Sequence, residues 1–283
     1  MADSPEVLQG YLEKAELVAR KASEIVDEAL SKGERRDASI KGINTSDLVT
    51  ETDLAVEKFV FEELRNYYPD HKFIGEESVS SGGGSCTLTD TPTWIIDPID
   101  GTSNFVHGFP FSVISIGLAV NKELVVGVAY NFFQRQMYTA RKGGGAFLNG
   151  KRISVSNVTE LNKSIVITDY GSTRQDFEFI PKVEMMKALA GDPGHVHGIR
   201  TLGSAVASLC MVASGRAEAY FEYGVHCWDI AAGAVIVREA GGIAIYPTGS
   251  ELDIMGRGIL VAANVELAKS IVPILKHIDY PRD

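Results

Sequence analysis

From Leu8 to Ala29 the apolar residues Leu8, Leu12, Ala15, Ala19, Ala22, Val26 and Ala29 recur at alternating steps of four and three, the period of a helix with one buried face. Ser4 can cap that helix, Pro5 suits its first position, and Gly33 closes it. The same spacing through Val56, Val60, Leu64 and Tyr67 predicts a second helix from about Thr52, ending before Pro69. Shorter patterns follow. Lys72-Phe73-Ile74 reads as a strand, Gly82-Gly83-Gly84 as a loop, and Trp94-Ile95-Ile96 as a buried strand. From Phe111 to about Val155, strand-like runs alternate with turns: Ser112 to Val120, a turn at Asn121-Lys122-Glu123, Leu124 to Tyr130, Met137-Tyr138 and Gly145 to Leu148. This predicts an antiparallel meander. After Ser164, strands at Ile165 to Ile167 and Ala219 to Glu222 are interleaved with helices at Val183 to Leu189, Ala205 to Ala213, Ile230 to Ala240 and beyond Asn264, which predicts a mixed αβ layer. With no repeat and no linker in view, residues 1–283 are expected to form one domain. Its α+β half with an antiparallel sheet runs to about residue 155, and its mixed αβ half begins at about residue 156.

Candidate chemistry begins where the Trp94 strand ends, at Asp97-Pro98-Ile99-Asp100-Gly101-Thr102-Ser103-Asn104. Pro98 forces Asp97 into an extended conformation, so the strand is expected to stop near Asp97. Asp97, Asp100 and the Ile99 carbonyl then sit on a short loop as oxygen donors of the kind Mg2+ and Ca2+ prefer. Thr102 or Ser103 can cap a helix starting at Asn104, and a helix N-terminus is a seat for phosphate. The competing reading is an ordinary Asp-Pro/Asp-Gly turn between a strand and a helix. Gly75-Glu76-Glu77-Ser78 follows the Phe73-Ile74 strand in the same way, and the two acidic strand ends converge if the strands are neighbours. Otherwise Glu76 and Glu77 are solvated surface glutamates. Asp229, at the start of an apolar helix in His226-Cys227-Trp228-Asp229-Ile230, is a further candidate whose plain alternative is a helix cap.

Composition narrows the choice. A chain of 283 residues with 45% hydrophobic and 23% charged residues is an ordinary globular protein, and no apolar stretch is long enough to span a bilayer. The first residues show no secretory signal, so a cytoplasmic location is expected and the three N-glycosylation sequons at Asn44, Asn157 and Asn162 carry no meaning. Cys86, Cys210 and Cys227 fit reduced thiols better than a disulfide framework. A net charge of −10 argues against a nucleic-acid partner, and it is compatible with an anionic phosphate substrate only if bound cations reverse the local sign. Gly143-Gly144-Gly145 lacks the lysine of a P-loop, and His195-Val196-His197 has no third soft ligand nearby for zinc.

The Gly75 to Ser78 element, Trp94 to Phe105, and Trp228 to Gly233 through Glu239-Ala240-Gly241-Gly242 together resemble the signatures of the inositol monophosphatase family over nearly the whole chain. Thr93 to His107 and Gly224 to Trp228 are most similar to its animal-type members. The resemblance implies an α+β fold, a layered αβαβα sandwich, commonly assembled as a homodimer. It implies that Glu76, Asp97 and the Ile99 carbonyl hold one Mg2+ while Asp97, Asp100 and Asp229 hold another, with two to three ions per subunit. Thr102 would orient the water that the first ion activates, Glu76 would be its carboxylate partner, and Asp53 with Lys41 would form an outer part of the site. The backbone of Gly101 and Thr102 would hold phosphate, and Gly203, Ser204, Ala205 and Glu222 would contact the inositol ring. Ser204 stands where a threonine is common, and the loop from Gly82 to Ser85 is slightly longer than usual. The implied activity is Mg2+-dependent, lithium-sensitive hydrolysis of a small-molecule phosphate monoester, myo-inositol monophosphate. The alternatives are another sugar phosphate or a 3′-phosphonucleotide as substrate, or a metal-binding regulatory protein with little turnover.

Overall fold

The computed structural model describes residues 4–32, 38–40, 48–84, 86–172 and 175–283. The first predicted helix is α1 (Pro5–Lys32), whose whole predicted apolar stripe is buried. Gly33, expected to close it, lies outside the described residues. Two short strands, β1 (Ala38–Ile40) and β2 (Leu48–Thr50), pair antiparallel and lead into α2 (Glu51–Tyr67). Thr50 and Asp53 form a capping box at the start of α2.

The larger sheet has seven strands: β3 (Lys72–Gly75), β4 (Thr93–Asp100), β5 (Val113–Val120), β6 (Glu123–Asn131), β7 (Gln136–Arg141), β8 (Gly145–Leu148) and β9 (Lys151–Ile153), adjacent in that order. β5 to β8 realise the predicted meander. The β5–β6 turn has two residues, Asn121 and Lys122, both at positive φ as a primed hairpin turn requires. β3 and β4 are parallel to each other, whereas the other pairs in this sheet are antiparallel. Two short helices follow the parallel strands, α3 (Glu76–Ser80) after β3 and α4 (Thr102–His107) after β4.

The second sheet is mixed, with order β11-β10-β12-β14-β13 from β10 (Ile165–Thr168), β11 (Gly198–Arg200), β12 (Ala219–Tyr223), β13 (Ile243–Ile245) and β14 (Gly258–Ala262). Its helices are α5 (Asp176–Ala190), α6 (Ala205–Ala213), α7 (Cys227–Glu239) and α8 (Val265–Ile271). α5 starts seven residues before the predicted Val183. Its first turns point Phe177, Ile180 and Val183 at solvent and bury Glu178 and Lys182, so they lack the apolar buried stripe by which a helix is recognised.

Among the described residues, apolar cores join five layers, one of them filling both sides of the middle layer. α1 and α2 pack on one face of the seven-stranded sheet through Val18, Ala22, Val60, Trp94 and Ile96. α6 and α7 fill the space between the sheets through Leu209, Ala231, Ile95 and Tyr220. Met185 of α5 and Leu267 of α8 cover the outer face of the five-stranded sheet. This is the αβαβα sandwich expected. α7 lies so close to the large sheet that a β-carbon on Gly127 would stand 2.3 Å from the Ala232 carbonyl oxygen. Among the described residues, no helix is long and apolar enough to cross a membrane.

Candidate active site

The acidic strand ends meet because their strands are neighbours. Gly75 of β3 pairs with Ile96 of β4, so Glu76, the first residue of α3, lies beside Asp97. Contrary to expectation, β4 does not stop near Asp97 but runs on to Asp100. Asp97 pairs with Ser115 and Asp100 with Val113, so β4 advances three residues while β5 advances two. The extra residue is a β-bulge, and Pro98, which has no N–H to give a ladder, falls inside it. The bulge has a directional consequence. Ile95 faces the α6–α7 core and Ile96 the α1–α2 core, so strict alternation would send Asp97 and Asp100 to opposite faces. Instead Ile99 joins the α1–α2 core, and Asp100 emerges on the α6–α7 side with Asp97.

Asp97, Asp100 and Asp229 each present an oxygen within 4.8 Å of the others. Asp229 occupies the third position of α7, where one oxygen accepts the His226 N–H at 2.7 Å as a helix-capping contact, and its carboxylate also lies in the acidic cluster. Asp100 lies at the N-terminus of α6 and accepts from the backbone N–H groups of Val206 (2.7 Å) and Ala205 (3.1 Å) and from the Ser204 hydroxyl. Asp97 is 1% exposed, and its Oδ1 has no hydrogen-bond partner. Burial, then repulsion from Glu76, Asp100 and Asp229, pushes the Asp97 carboxyl well above the ordinary range. Asp229 is displaced the same way, by burial and then by Asp100 and Glu76. Burial raises Asp100 to about 6, against the pull of Ser204, Val206 and Ala205. Crowded carboxylates with an orphaned buried oxygen and no soft donor among them fit a hard divalent cation.

The residues around this cluster hold it in shape. The Thr102 hydroxyl is 3.1 Å from both Asp53 Oδ1 and the Ile99 carbonyl oxygen, either of which can accept its proton. The expected cap at Thr102 or Ser103 is therefore corrected. α4 begins at Thr102 itself, and its cap is Gly101, with φ of 87° and no side-chain cap. A β-carbon on Gly101 would meet the Phe111 and Gly203 carbonyl oxygens at 2.9 and 3.0 Å, so glycine is needed for space as well as for conformation. Asp53 is fully buried, and its other oxygen accepts the Thr50 N–H at 2.9 Å, tying α2 to the site. Lys41, expected beside Asp53, lies outside the described residues.

Glu57 was not foreseen. Its carboxylate accepts the N–H groups of Glu77 (2.8 Å) and Ser78 (2.9 Å) and the Ser78 hydroxyl, capping α3 just behind Glu76. An acid on the same helical face as Asp53, Val60 and Leu64 was the available signal.

A cavity of about 300 Å³ opens over the acids, lined by Glu76, Asp100, Asp229, Gly101, Thr102, Gly203, Ser204, Ala205 and Glu222, with Asp169 to Ser172 at its edge. Asp97 and Ile99 lie beneath it, buried. Glu222 accepts the Tyr220 hydroxyl at 2.7 Å, and burial, then Asp169, raises its pKa to about 8. Asp169 was also missed. It accepts the Gly203 N–H at 2.9 Å and directly follows β10, the same acid-at-strand-end pattern as Asp97. His195 and His197 are exposed and belong to no ligand cluster among the described residues.

The profile of the inositol monophosphatase family matches residues 8–280. The chain is 46% identical over 275 residues to inositol monophosphatase 1 of Rattus norvegicus, covering 97% of each. It is 48% identical over 271 residues to inositol monophosphatase 1 of Xenopus laevis, covering 94% of this chain and 92% of that one. Among solved structures it is similar to the extragenic suppressor protein suhB of Bartonella henselae, with a TM-score of 0.82 at 30% identity, covering 94% of this chain and 98% of that one.

Proposed function

The chain belongs to the inositol monophosphatase family, and from that premise we propose that it is a Mg2+-dependent phosphomonoesterase releasing phosphate from myo-inositol monophosphate. The observation that carries this reading is the convergence of Asp97, Asp100 and Asp229 beside Glu76, with a buried Asp97 oxygen left without a partner. Glu76, Asp97 and the Ile99 carbonyl would hold one Mg2+, and Asp97, Asp100 and Asp229 a second, for two to three ions per subunit. Bound there, divalent ions supply an activated water and charge stabilisation at the leaving oxygen.

The protein's own groups then divide the remaining work. Thr102, whose hydroxyl lies within hydrogen-bond reach of Asp53 and the Ile99 carbonyl, would accept a hydrogen bond from the attacking water and so orient it. Gly101 and Thr102 line the cavity at the start of α4, and their backbone N–H groups would suit a phosphate oxygen there. Asp100 accepts from the start of α6 and Asp229 from the start of α7, so hydrogen bonds orient both carboxylates in advance of substrate. Across the cavity, Gly203, Ser204, Ala205 and Glu222 would meet the ring hydroxyls. A Glu222 carboxyl that keeps its proton near neutrality can donate as well as accept there. Catalysis by residues 1–283 as one domain, a cytoplasmic location, uncompetitive inhibition by lithium and assembly as a homodimer complete the proposal. The exposed Phe177, Ile180 and Val183 on α5 are surface that such an assembly can cover.

The deciding experiment is phosphate release from myo-inositol 1-phosphate, fructose 1,6-bisphosphate and a 3′-phosphonucleotide, with and without Mg2+ and lithium. Fast Mg2+-dependent release from the inositol ester, abolished by lithium, is expected. Preference for another ester would keep the chemistry and change the substrate. Silence on all three with Mg2+ bound would leave a regulatory protein.

A further inference from the structure

Beside the acidic cluster lies a second group of ligand-type side chains that the hydrolytic reaction does not use. Cys86 follows the glycine loop after α3, and Cys227 is the first residue of α7. Their sulfur atoms are 3.7 Å apart. Asp283 completes the group, with a carboxylate oxygen and the two sulfurs all within 4.8 Å of one another.

We propose that Cys86, Cys227 and Asp283 form a binding site for Zn2+, separate from the carboxylate cluster. The spacing is the first argument. Two thiolates at about 2.3 Å from a tetrahedral zinc stand about 3.8 Å apart, close to the distance between the sulfurs here. A disulfide would require them to close to about 2.05 Å. The second argument is the support around the carboxylate. Asp283 Oδ2 accepts the Cys227 N–H at 3.0 Å, and Oδ1 is 2.6 Å from His226 Nδ1. This is the outer-partner pattern that orients ligating carboxylates. His226 is itself fixed by stacking on Trp228, with ring centroids 4.5 Å apart. Arg257, 3.7 Å from Asp283, opposes a cation, but it is one positive charge against a carboxylate and the two thiolates that zinc binding would form.

Ligand chemistry keeps the two sites distinct. Thiolates select borderline and soft ions, whereas an all-oxygen cluster suits Mg2+. Binding exchanges two S–H protons, released to solvent, for two Zn–S bonds, and leaves one tetrahedral position for water. The ion would clip the segment that follows Glu76 and α3 to the residue two places before Asp229, linking the two chain segments that flank the active site.

The test is zinc stoichiometry of the full chain by equilibrium dialysis under saturating Mg2+, alongside Co2+ substitution read by the thiolate-to-cobalt charge-transfer absorption. Cys227 is fully buried, so Cys86→Ser is the primary variant and Asp283→Asn the second. One more Zn2+ per wild-type chain than per Cys86→Ser chain is expected, with the cobalt–thiolate band lost and affinity down about 100-fold or more. Mg2+-dependent turnover without zinc should be unchanged in Cys86→Ser. Equal zinc in both proteins, or a cobalt spectrum without a thiolate band, overturns the proposal. So does loss of both free thiols without metal uptake, which would make the pair a redox couple.

Discussion

Asp97→Asn should stabilise the metal-free protein while removing its response to Mg2+ and its turnover. The oxygens of Asp97, Asp100 and Asp229 lie no more than 4.8 Å apart, and at an effective dielectric of about 20 each pair of full charges at that distance costs at least roughly 3.5 kcal/mol. Proton uptake limits the damage. Burial and the neighbouring acids push the Asp97 carboxyl well above its ordinary range, so it takes up a proton more readily than a free one and sheds part of that repulsion. Water in the cavity above lowers it further. Asparagine keeps the shape, removes the charge and offers N–H donors to the surrounding carboxylates, so a gain on the order of 1–3 kcal/mol is expected, or several degrees in Tm. Denaturation in EDTA and in Mg2+ reads both effects. Wild type should be the less stable protein in EDTA and the more strongly shifted by Mg2+, with turnover of the variant down about 100-fold or more. An Asp97→Asn protein that is less stable than wild type in EDTA, or still shifted by Mg2+, would refute the reasoning.

A raised carboxyl pKa adds stability below its unfolded value and loses it as pH climbs through the folded one. Metal-free stability should therefore fall from about pH 4.5 towards 8 through Glu222, and over a lower range through Asp100, whose folded pKa is about 6. Because Glu222 borders the cavity, its share between pH 5 and 7 is about 1 kcal/mol, and urea titrations of Glu222→Gln should show a flatter profile; an unchanged slope would contradict the assignment. Glu57→Ala removes the acceptor that caps α3 behind Glu76, so it should weaken apparent Mg2+ affinity by about 10 to 100-fold in a Mg2+ titration of turnover while leaving a folded protein. Normal Mg2+ dependence would mean that Glu57 does not position Glu76. Gly127→Ala forces a β-carbon against the Ala232 carbonyl and should cost about 1–3 kcal/mol in denaturant midpoint, with turnover per folded molecule preserved.

Local patterning was enough to read α1, α2 and the meander. The stripe from Leu8 to Ala29 specifies α1 because its period matches only a helix, and the turn residues at Asn121-Lys122-Glu123 between two strand-like runs specify a hairpin, whose turn the structure narrows to Asn121 and Lys122. The acids were legible as acids at element ends, where Asp97, Glu76 and Asp229 stand, together with the demand of an acidic chain for metal if it is to handle phosphate. Asp169 carried the same signal and was passed over, and Glu57 was hidden as one charge on a helix with many. Three things belonged to tertiary structure alone. The parallel pairing of β3 with β4 brought Glu76 beside Asp97, the bulge at Pro98 turned Asp100 to the same face, and the packing of α7 between the sheets delivered Asp229 and set Cys227 against Cys86. Periodicity is a property of neighbours along the chain and is written in the sequence. The meeting of residues more than a hundred positions apart depends on strand register and helix docking, which only the packed core decides.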